Sequence, residues 1–327
     1  MAIQNQVSHP RRILQSSFAA VLLSLVFAAL CPAQNQRPAG PPKPPPDFSD
    51  VSYGPHQRNV LDLWKAKTGR PAPLIVYIHG GGFRAGDKSS IAPDLLIPAL
   101  EAGFSVAAIN YRLSHQASYP AFMHDGARAI QYIRSRAAEW NLNPRWIAAT
   151  GGSAGAGISL WIGFHQDMAD PSSADPVQRQ STRLAAMGVL GAQSSYDPRV
   201  ITRLISKPSA MHPALAAFYG LSEAAYRTGN YSDATLKHFE DASPITHLTA
   251  GDPPVFMYYT EPDEPIPPDA KPGQGIHHPK FGAFLKQRMD SLGIECEIHH
   301  RDEYTVRPAR QMYRQMLAFF QRHTPKQ

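Results

Sequence analysis

The sequence WIAATGGSAGAGISLWI, from Trp146 to Ile162, holds the most informative pattern in the chain. An apolar, strand-like run leads into a G-x-S-x-G pentapeptide at Gly151–Gly155, and a helix-like apolar run follows it. A tight turn from strand to helix brings neighbouring chain very close, so the positions two before and two after Ser153 must lack side-chain bulk. The pattern therefore predicts that Ser153 stands at the N-terminus of a helix, with the amide of Ala154 beside it.

A second glycine motif follows a buried strand further upstream. The apolar run 73–78 is typical of a parallel strand and leads straight into HGGGF at His79–Phe83. Three consecutive glycines cost backbone entropy, and amides left free to donate to a ligand are a good reason for them. We therefore expect the amides of Gly81 and Gly82 to act as donors, and both motifs to lie at the carboxyl edge of one sheet.

Strand-like and helix-like segments alternate on both sides of these motifs. The predicted strands are 51–54, 59–64, 73–78, 104–110, 146–150, 184–190, 253–259 and 294–298, and the predicted helices include 92–100, 121–140, 281–292 and 308–322. This order predicts an α/β fold with a mostly parallel, doubly wound sheet and helices on both faces. The mixed segment 195–241 is predicted to be a cap-like insertion that roofs the pocket.

The first residues of the chain have the features of an export signal. Residues 1–33 show a polar start with two arginines, an apolar stretch at 18–30 and a small-residue cleavage site, which predicts a signal peptide and a periplasmic or secreted protein. The apolar stretch is short for a membrane span, so we expect no stable membrane insertion after cleavage. An uncleaved anchor, lipid attachment at Cys31 and a twin-arginine signal are the alternatives.

A proline-rich segment separates this leader from the rest of the chain. Residues 34–47 cannot bury apolar surface and are predicted to form an extended linker, which leaves 48–325 as one folded catalytic domain. The 327-residue chain is 43% hydrophobic and 18% charged, as is ordinary for a globular enzyme. Its formal net charge of +6 is scattered without basic clusters beside aromatics, so we expect no nucleic-acid partner.

The cysteine content also limits the function classes. Once the leader is removed, Cys296 is the one cysteine left, so an intramolecular disulfide and a cysteine-type zinc site are both excluded. Cys296 lies in an alternating, strand-like run, which favours a buried structural residue over a reactive thiol. No metal ion and no organic cofactor is implied, and nothing in the sequence indicates an oligomeric state.

Taken together, the motifs resemble those of the α/β-hydrolase esterases. The similarity is greatest to the branch that holds hormone-sensitive-lipase-type carboxylesterases and the feruloyl-esterase modules of bimodular polysaccharide-degrading enzymes. It covers nearly all of residues 50–323 and rests on Leu61–Trp64, His79–Phe83, Asn110–Leu113, Tyr119–Ala121, Asp125 and Gly151–Gly155. The resemblance implies that Ser153 is a nucleophile, that the amides of Gly81, Gly82 and Ala154 form an oxyanion hole, and that His79 supports the glycine loop.

The resemblance also implies a catalytic acid after the strand 253–259. The segment DEPIP, which begins at Asp263, is similar to the D-x-x-V-P segment of the family, so Asp263 is the expected acid. Glu261 and Glu264 are close alternatives. An ordinary acidic surface turn is the structural alternative for this stretch.

The catalytic histidine is absent from its usual place. The family carries it in the loop after the last strand, but residues 301–307 contain no histidine. Our candidates for the base are His300, which follows His299 just before that loop, and the pair His277 and His278 at the start of the helix 281–292, of which His278 is the one we carry forward. Each has a structural alternative, as a strand-end or a helix-entry residue.

Two functions therefore remain open. The first is a secreted serine carboxylic-ester hydrolase that acts on small-molecule or polysaccharide-linked esters, such as acetyl or feruloyl esters. The second is a catalytically impaired, hydrolase-fold binding protein, because a serine hydroxyl without a base is a weak nucleophile.

Overall fold

The computed structural model describes residues 42–325. The predicted signal peptide, the lipid-anchor alternative at Cys31 and residues 34–41 of the predicted linker lie outside the described residues. The end of the linker contacts the domain, since the indole Nε1 of Trp64 donates to the carbonyl of Pro44 at 2.8 Å. Among residues 42–325, no helix has both the length and the hydropathy needed to cross a bilayer.

Within these residues the chain forms eight strands and eleven α-helices. The strands are β1 Phe48–Ser52, β2 Val60–Trp64, β3 Ala72–Ile78, β4 Ser105–Ile109, β5 Leu142–Gly152, β6 Ala186–Leu190, β7 Val255–Tyr259 and β8 Cys296–His300. The helices are α1 Pro93–Glu101, α2 Ala121–Ser135, α3 Ala137–Trp140, α4 Ala154–Phe164, α5 Pro198–Leu204, α6 Lys207–Ala210, α7 Pro213–Phe218, α8 Glu223–Arg227, α9 Asp233–Ala242, α10 Lys280–Ser291 and α11 Pro308–His323. Short 3-10 turns occur at Lys88–Ser90, Pro244–Thr246 and Arg301–Glu303.

The strands form one sheet in the order β1-β2-β4-β3-β5-β6-β7-β8. The pairs β1/β2 and β2/β4 are antiparallel, and every later pair is parallel. This arrangement confirms the expected mostly parallel, doubly wound sheet. The predicted helix 121–140 is interrupted after Ser135, and its last turn ends at Asn141, which adopts a left-handed conformation with φ 56°.

Alternating side chains of the sheet feed two apolar cores, one on each face. In β3, Leu74, Val76 and Ile78 pack on the face covered by α2, α3, α4 and α10, whereas Ile75 packs on the face covered by α1 and α11. All five residues of β4 are buried, as expected for a strand covered on both sides. Helices thus lie on both faces of the sheet.

The expected insertion between β6 and β7 is a set of five short helices, α5 to α9. Each begins at a side chain that accepts a hydrogen bond from a backbone amide of its first turn; these residues are Asp197, Ser206, His212, Ser222 and Ser232. Phe218 of α7 anchors the insertion, because its ring lies 4.8 Å from that of Phe83 in the glycine loop and 5.1 Å from that of Tyr196. The insertion is therefore packed directly against the loop that follows β3.

Candidate active site

Ser153 lies in a strained turn at the carboxyl end of β5. Its backbone has φ 52° and ψ −115°, a conformation that residues other than glycine rarely adopt. A Cβ atom added at Gly151 would lie 2.3 Å from the carbonyl oxygen of Ile78, and one added at Gly155 would lie 2.0 Å from it. The turn therefore fits against β3 only with glycine at both positions, as the sequence predicts.

The imidazole of His277 contacts the Ser153 hydroxyl. Nε2 of His277 lies 2.8 Å from Oγ of Ser153. His277 belongs to the loop between β7 and α10, and its ring packs on Gly191, where an added Cβ would lie 3.2 Å from Cδ2 of the ring. An acceptor nitrogen at this distance can take the serine proton.

A carboxylate lies on the other side of the same imidazole. Oε1 of Glu261 is 3.4 Å from Nδ1 of His277, and both side chains are about one third exposed, at 31% and 34%. A carboxylate here orients the ring and stabilises the imidazolium that forms when Nε2 takes a proton. Ser153, His277 and Glu261 thus form a continuous chain of polar contacts.

The expected pair Asp263 and His278 is not placed beside Ser153, which corrects that part of the sequence interpretation. His278 is 1% exposed, its Nε2 donates to the carbonyl of Glu264 at 2.8 Å, and its Nδ1 accepts from the amide of Lys280 at 3.2 Å. Oδ1 of the exposed Asp263 lies 3.7 Å from the same Nδ1. Both ring nitrogens of His278 are thus engaged within its own loop, and the ring that faces the serine is that of its neighbour His277.

His300, the other expected base, is also placed away from Ser153. It ends β8, the outermost strand, and β6 and β7 lie between this strand and β5. Its amide donates to the carboxylate of Glu303 at 2.6 Å, and its side chain accepts from the amide of the same residue. Among the described residues, the imidazole that hydrogen-bonds to Ser153 is that of His277, and no hydrogen bond joins His300 to the serine.

The glycine loop after β3 lies against the turn at Ser153, since a Cβ added at Gly80 would be 3.7 Å from Cβ of Ser153. Gly81 and Gly82 have φ angles of 106° and 60°, and the carbonyl of Gly81 accepts from the amides of Arg84 and Ala85 at 3.0 and 3.1 Å. In the described part of the chain, the amides of Gly81, Gly82 and Ala154 donate to no protein acceptor. Free amides beside a serine hydroxyl are suited to binding a negatively charged oxygen.

His79 holds the glycine loop in this shape. Its Nδ1 donates to the carbonyl of Gly80 at 2.8 Å, its Nε2 accepts from the guanidinium of Arg58 at 3.2 Å, and its ring stacks on Tyr111 at 4.3 Å. Burial lowers the pKa of His79 to about 4, so the ring is neutral at pH 7. A buried, fully bonded histidine positions the loop and has no free nitrogen for the serine.

Two cavities meet at Ser153. The larger, of about 330 Å³, is lined by His277, Gly191 and Tyr258 among others and opens to solvent. The smaller, of about 30 Å³, is lined by Gly82 and Ala154 and by residues of the insertion. The serine hydroxyl therefore faces an open space on one side and a narrow space on the other.

One group of three side chains of the kind that bind metals occurs within the described residues, formed by His165, Asp241 and His247. His165 directly follows the last residue of α4, at the opposite end of that helix from Ser153. Its ring lies 3.6 Å from that of His247, and burial together with this neighbour lowers the pKa of His165 to about 4. This group takes no part in the arrangement around the serine.

Sequence reasoning considered His277 and His278 together but carried His278 forward, and it preferred Asp263 to Glu261. The signal was present in the pair His277-His278 and in Glu261, which precedes Asp263 on the same loop. Pattern could not decide which of two consecutive histidines turns towards β5, because that depends on the contact with Gly191. The positions of Ser153, Gly81 and Gly82 followed from local backbone requirements alone.

Comparison with known proteins finds esterases among the proteins that this chain resembles. A family model described as BD-FAE matches residues 61–271. The probable carboxylic ester hydrolase LipM of Mycobacterium tuberculosis is 33% identical over 224 residues, which cover 67% of this chain and 48% of that protein. Esterase LipQ of the same organism is 30% identical over 223 residues, covering 67% and 49%. The chain spans about half the length of these curated relatives.

Solved structures show the same architecture. A truncated carbohydrate esterase from gut microbiota superposes with a TM-score of 0.65 at 21% identity, over 87% of this chain and 100% of that one. An acetyl ester-xyloside bifunctional hydrolase from Caldicellulosiruptor lactoaceticus gives a TM-score of 0.65 at 18% identity, over 85% and 97%. These findings confirm the resemblance inferred from the motifs: the chain has the α/β-hydrolase fold and belongs to the BD-FAE family.

Proposed function

We propose that this protein is a serine carboxylic-ester hydrolase in which Ser153 is the nucleophile and His277 the general base. The observation that carries the proposal is the 2.8 Å contact between Nε2 of His277 and Oγ of Ser153. Glu261 orients the imidazole and stabilises its protonated form. The amides of Gly81, Gly82 and Ala154 form the oxyanion hole.

The first half of the reaction forms an acyl-enzyme. Oγ of Ser153 bonds to the ester carbonyl carbon while its proton passes to Nε2 of His277. The carbonyl oxygen becomes an oxyanion, which the free amides stabilise. His277 then gives the proton to the alcohol oxygen, the carbon–oxygen bond to the alcohol breaks, and the alcohol leaves.

The second half returns the enzyme to its starting state. A water molecule gives a proton to His277 and bonds to the acyl carbon, and the same amides stabilise the second oxyanion. The bond between the acyl carbon and Oγ breaks, and His277 returns the proton to Ser153. The net products are a carboxylic acid and an alcohol, and the step needs no other co-reactant.

We also propose that the substrate is a small-molecule or polysaccharide-linked ester, such as an acetyl or feruloyl ester, and that the protein acts outside the cytoplasm. The support for the substrate is the similarity in fold to proteins named as a carbohydrate esterase and an acetyl ester-xyloside hydrolase. The support for the location is the signal-like pattern of residues 1–33.

The alternative of a catalytically impaired binding protein rested on the absence of a histidine from residues 301–307. The contact of His277 with Ser153 supports the hydrolase over this alternative, because it supplies a proton acceptor from another loop.

Hydrolysis of p-nitrophenyl acetate by the full chain tests the proposed function. We expect turnover by the wild type and its loss in Ser153→Ala, with covalent labelling of Ser153 by a fluorophosphonate probe. Wild-type turnover no faster than that of Ser153→Ala, with no labelling, would overturn the assignment.

A further inference from the structure

Two imidazoles and a carboxylate meet at the end of α4 that is remote from Ser153. His165 directly follows α4, Asp241 lies in the last turn of α9, and His247 follows the 3-10 turn Pro244–Thr246. One ligand atom from each of these three side chains lies within 4.8 Å of the other two. The three residues belong to two parts of the chain that meet only in the folded protein, the helix after the serine turn and the end of the insertion.

Both imidazoles use one ring nitrogen on a backbone carbonyl. Nδ1 of His165 donates to the carbonyl of Trp161 at 3.1 Å, and Nε2 of His247 donates to the carbonyl of Asp241 at 2.7 Å. A neutral imidazole that donates from one nitrogen keeps a lone pair on the other, so each ring can bind a cation. Histidines that bind metals commonly donate their second nitrogen to a backbone carbonyl in this way.

The carboxylate of Asp241 is also held by neighbouring groups. The hydroxyl of the buried Tyr119 donates to its Oδ2, and the indole Nε1 of Trp161 donates to its backbone carbonyl at 3.0 Å. Its Oδ1 lies 3.8 Å from Nε2 of His247. One carboxylate oxygen is thus fixed by the tyrosine, and the other is left to accept a further partner.

The electrostatics of this position favour a cation. Helix α4 ends beside His165 and helix α9 ends one residue after Asp241, and the carboxyl end of a helix carries a partial negative charge. The carboxylate of Asp241 adds a full negative charge. Its side chain is 52% exposed and that of His247 is 20% exposed, so a hydrated ion can reach both from solvent.

We propose that His165, Asp241 and His247 bind a divalent transition-metal ion, with Zn²⁺ as the ion that fits best. Two imidazole nitrogens and one carboxylate oxygen are ligands that zinc prefers, and water takes the fourth position, whereas Mg²⁺ and Ca²⁺ prefer oxygen ligands throughout. Bonds of about 2.0–2.1 Å place tetrahedral ligand atoms about 3.3 Å apart. A closure of at most about 1.5 Å therefore completes the site.

Such an ion ties the insertion to the core of the domain. It joins the end of α4, the helix that begins after Ser153, to α9 and the turn that follows it in the insertion. The unfolded chain does not hold these three side chains together, so the ion binds the folded state preferentially and stabilises it.

Thermal unfolding of the full chain, made without a histidine tag and freed of metal with a chelator, tests the proposal. Zn²⁺ at about a hundred times its dissociation constant should raise Tm by about 5 °C, because it binds the folded state preferentially. Mg²⁺ at the same concentration should change Tm by less than about 1 °C. Co²⁺ should give the intense visible absorption of a four-coordinate ion. Failure of both Zn²⁺ and Co²⁺ to bind would overturn the proposal.

Two isosteric or nearly isosteric variants assign the binding to these side chains. Asp241→Asn keeps the size of the side chain and an oxygen for the Tyr119 hydroxyl, and His247→Gln removes one imidazole at a partly exposed position. Each should weaken zinc binding, measured by titration calorimetry, at least about 100-fold and abolish the rise in Tm, while the metal-free variant stays folded by circular dichroism. His238→Gln is the matched control, because His238 is an exposed histidine of α9 outside the group.

The outcomes separate this site from other histidines of the chain. If zinc raises Tm equally in the wild type, Asp241→Asn and His247→Gln, the ion binds elsewhere and the proposal fails. A loss of zinc binding in His238→Gln as large as in the two ligand variants would also overturn the assignment. Ser153→Ala should bind zinc as tightly as the wild type, so the result does not depend on ester hydrolysis.

Discussion

Nε2 of His277 lies 2.8 Å from Oγ of Ser153, although the two residues are 124 positions apart in the chain. The contact joins the loop after β7 to the turn after β5, across the end of β6. Four histidines lie in the loop after β7 or at the end of β8, and this contact makes His277 the one whose replacement should lower the rate of ester hydrolysis. The other three are His278, His299 and His300.

His277→Ala should lower kcat for p-nitrophenyl acetate by at least about 1,000-fold, because the serine loses its proton acceptor. His300→Ala, the matched control, should stay within about twofold of the wild type, since that side chain is bonded only near Glu303. His278→Ala should lower the melting temperature, because it removes a buried ring that bonds to Glu264 and Lys280. A folded, fully active His277→Ala would contradict the assignment.

Glu261→Gln should lower kcat by about 10- to 100-fold with little change in KM. The amide keeps the size of the side chain but cannot stabilise the imidazolium. The effect should be smaller than for a buried acid, because Glu261 is partly solvated and 3.4 Å from Nδ1. Asp263→Asn is the matched control, and steady-state kinetics that rank the two variants in the reverse order would identify Asp263 as the acid.

Gly81→Ala should lower kcat by about 100- to 1,000-fold while the protein remains folded. Gly81 has a φ of 106°, and the added Cβ would lie 2.2 Å from the carbonyl oxygen of Ala85. The loop must therefore move, and its amides no longer point at the position of the oxyanion. Gly69→Ala meets nothing within 4 Å and should behave as the wild type. Circular dichroism checks the fold, and unchanged kcat in Gly81→Ala would argue against an oxyanion hole in this loop.

Acidification from pH 7 to pH 5 should lower the free energy of unfolding, in part through His79. The pKa of this ring is about 4 in the folded protein and about 6.5 when unfolded, so between these values the unfolded chain binds a proton that the folded chain excludes. Its contribution is complete above pH 6.5 and is lost as the pH falls towards 4, by up to about 3 kcal/mol. Urea titrations should show a shallower pH dependence in His79→Gln, and an equal dependence in both proteins would refute the attribution.

Cys296 should be unreactive in the folded protein. It is 6% exposed, and burial raises the pKa of its thiol to about 12, so little thiolate forms at neutral pH. Ellman's reagent at pH 8 should label it in urea but far more slowly under native conditions. Rapid labelling of the native protein would contradict its placement in β8.

Most of the fold follows from local patterns. The buried strands can be predicted from their apolar runs. The two glycine motifs indicate where β3 and β5 end, because only glycine at positions 151 and 155 fits against the backbone of Ile78. The break after Ser135 could not be read from apolar spacing, since α3 continues the same periodicity after an interruption of the backbone helix. Pattern also gave no account of how α5 to α9 pack.

In the candidate site too, some residues can be predicted from local sequence and others depend on contacts between distant segments. The position of Ser153 depends on residues adjacent in sequence, so it can be read from them. Which of His277 and His278 faces the serine depends on which ring packs on Gly191. That contact joins residues far apart in sequence, so it cannot be predicted from the local pattern. The expectation of Asp263 came from a similar motif in related proteins, whereas in this chain that carboxylate lies against His278.

The loop between β7 and α10 supplies both Glu261 and His277. The proposed acid and base therefore lie on one segment, which contacts both Gly191 and the turn at Ser153. In the proposed mechanism they are exchanged between homologous chains only as a pair. That mechanism gives no role to the stretch after β8, so we expect changes of sequence or length there to leave the contact between His277 and Ser153 intact.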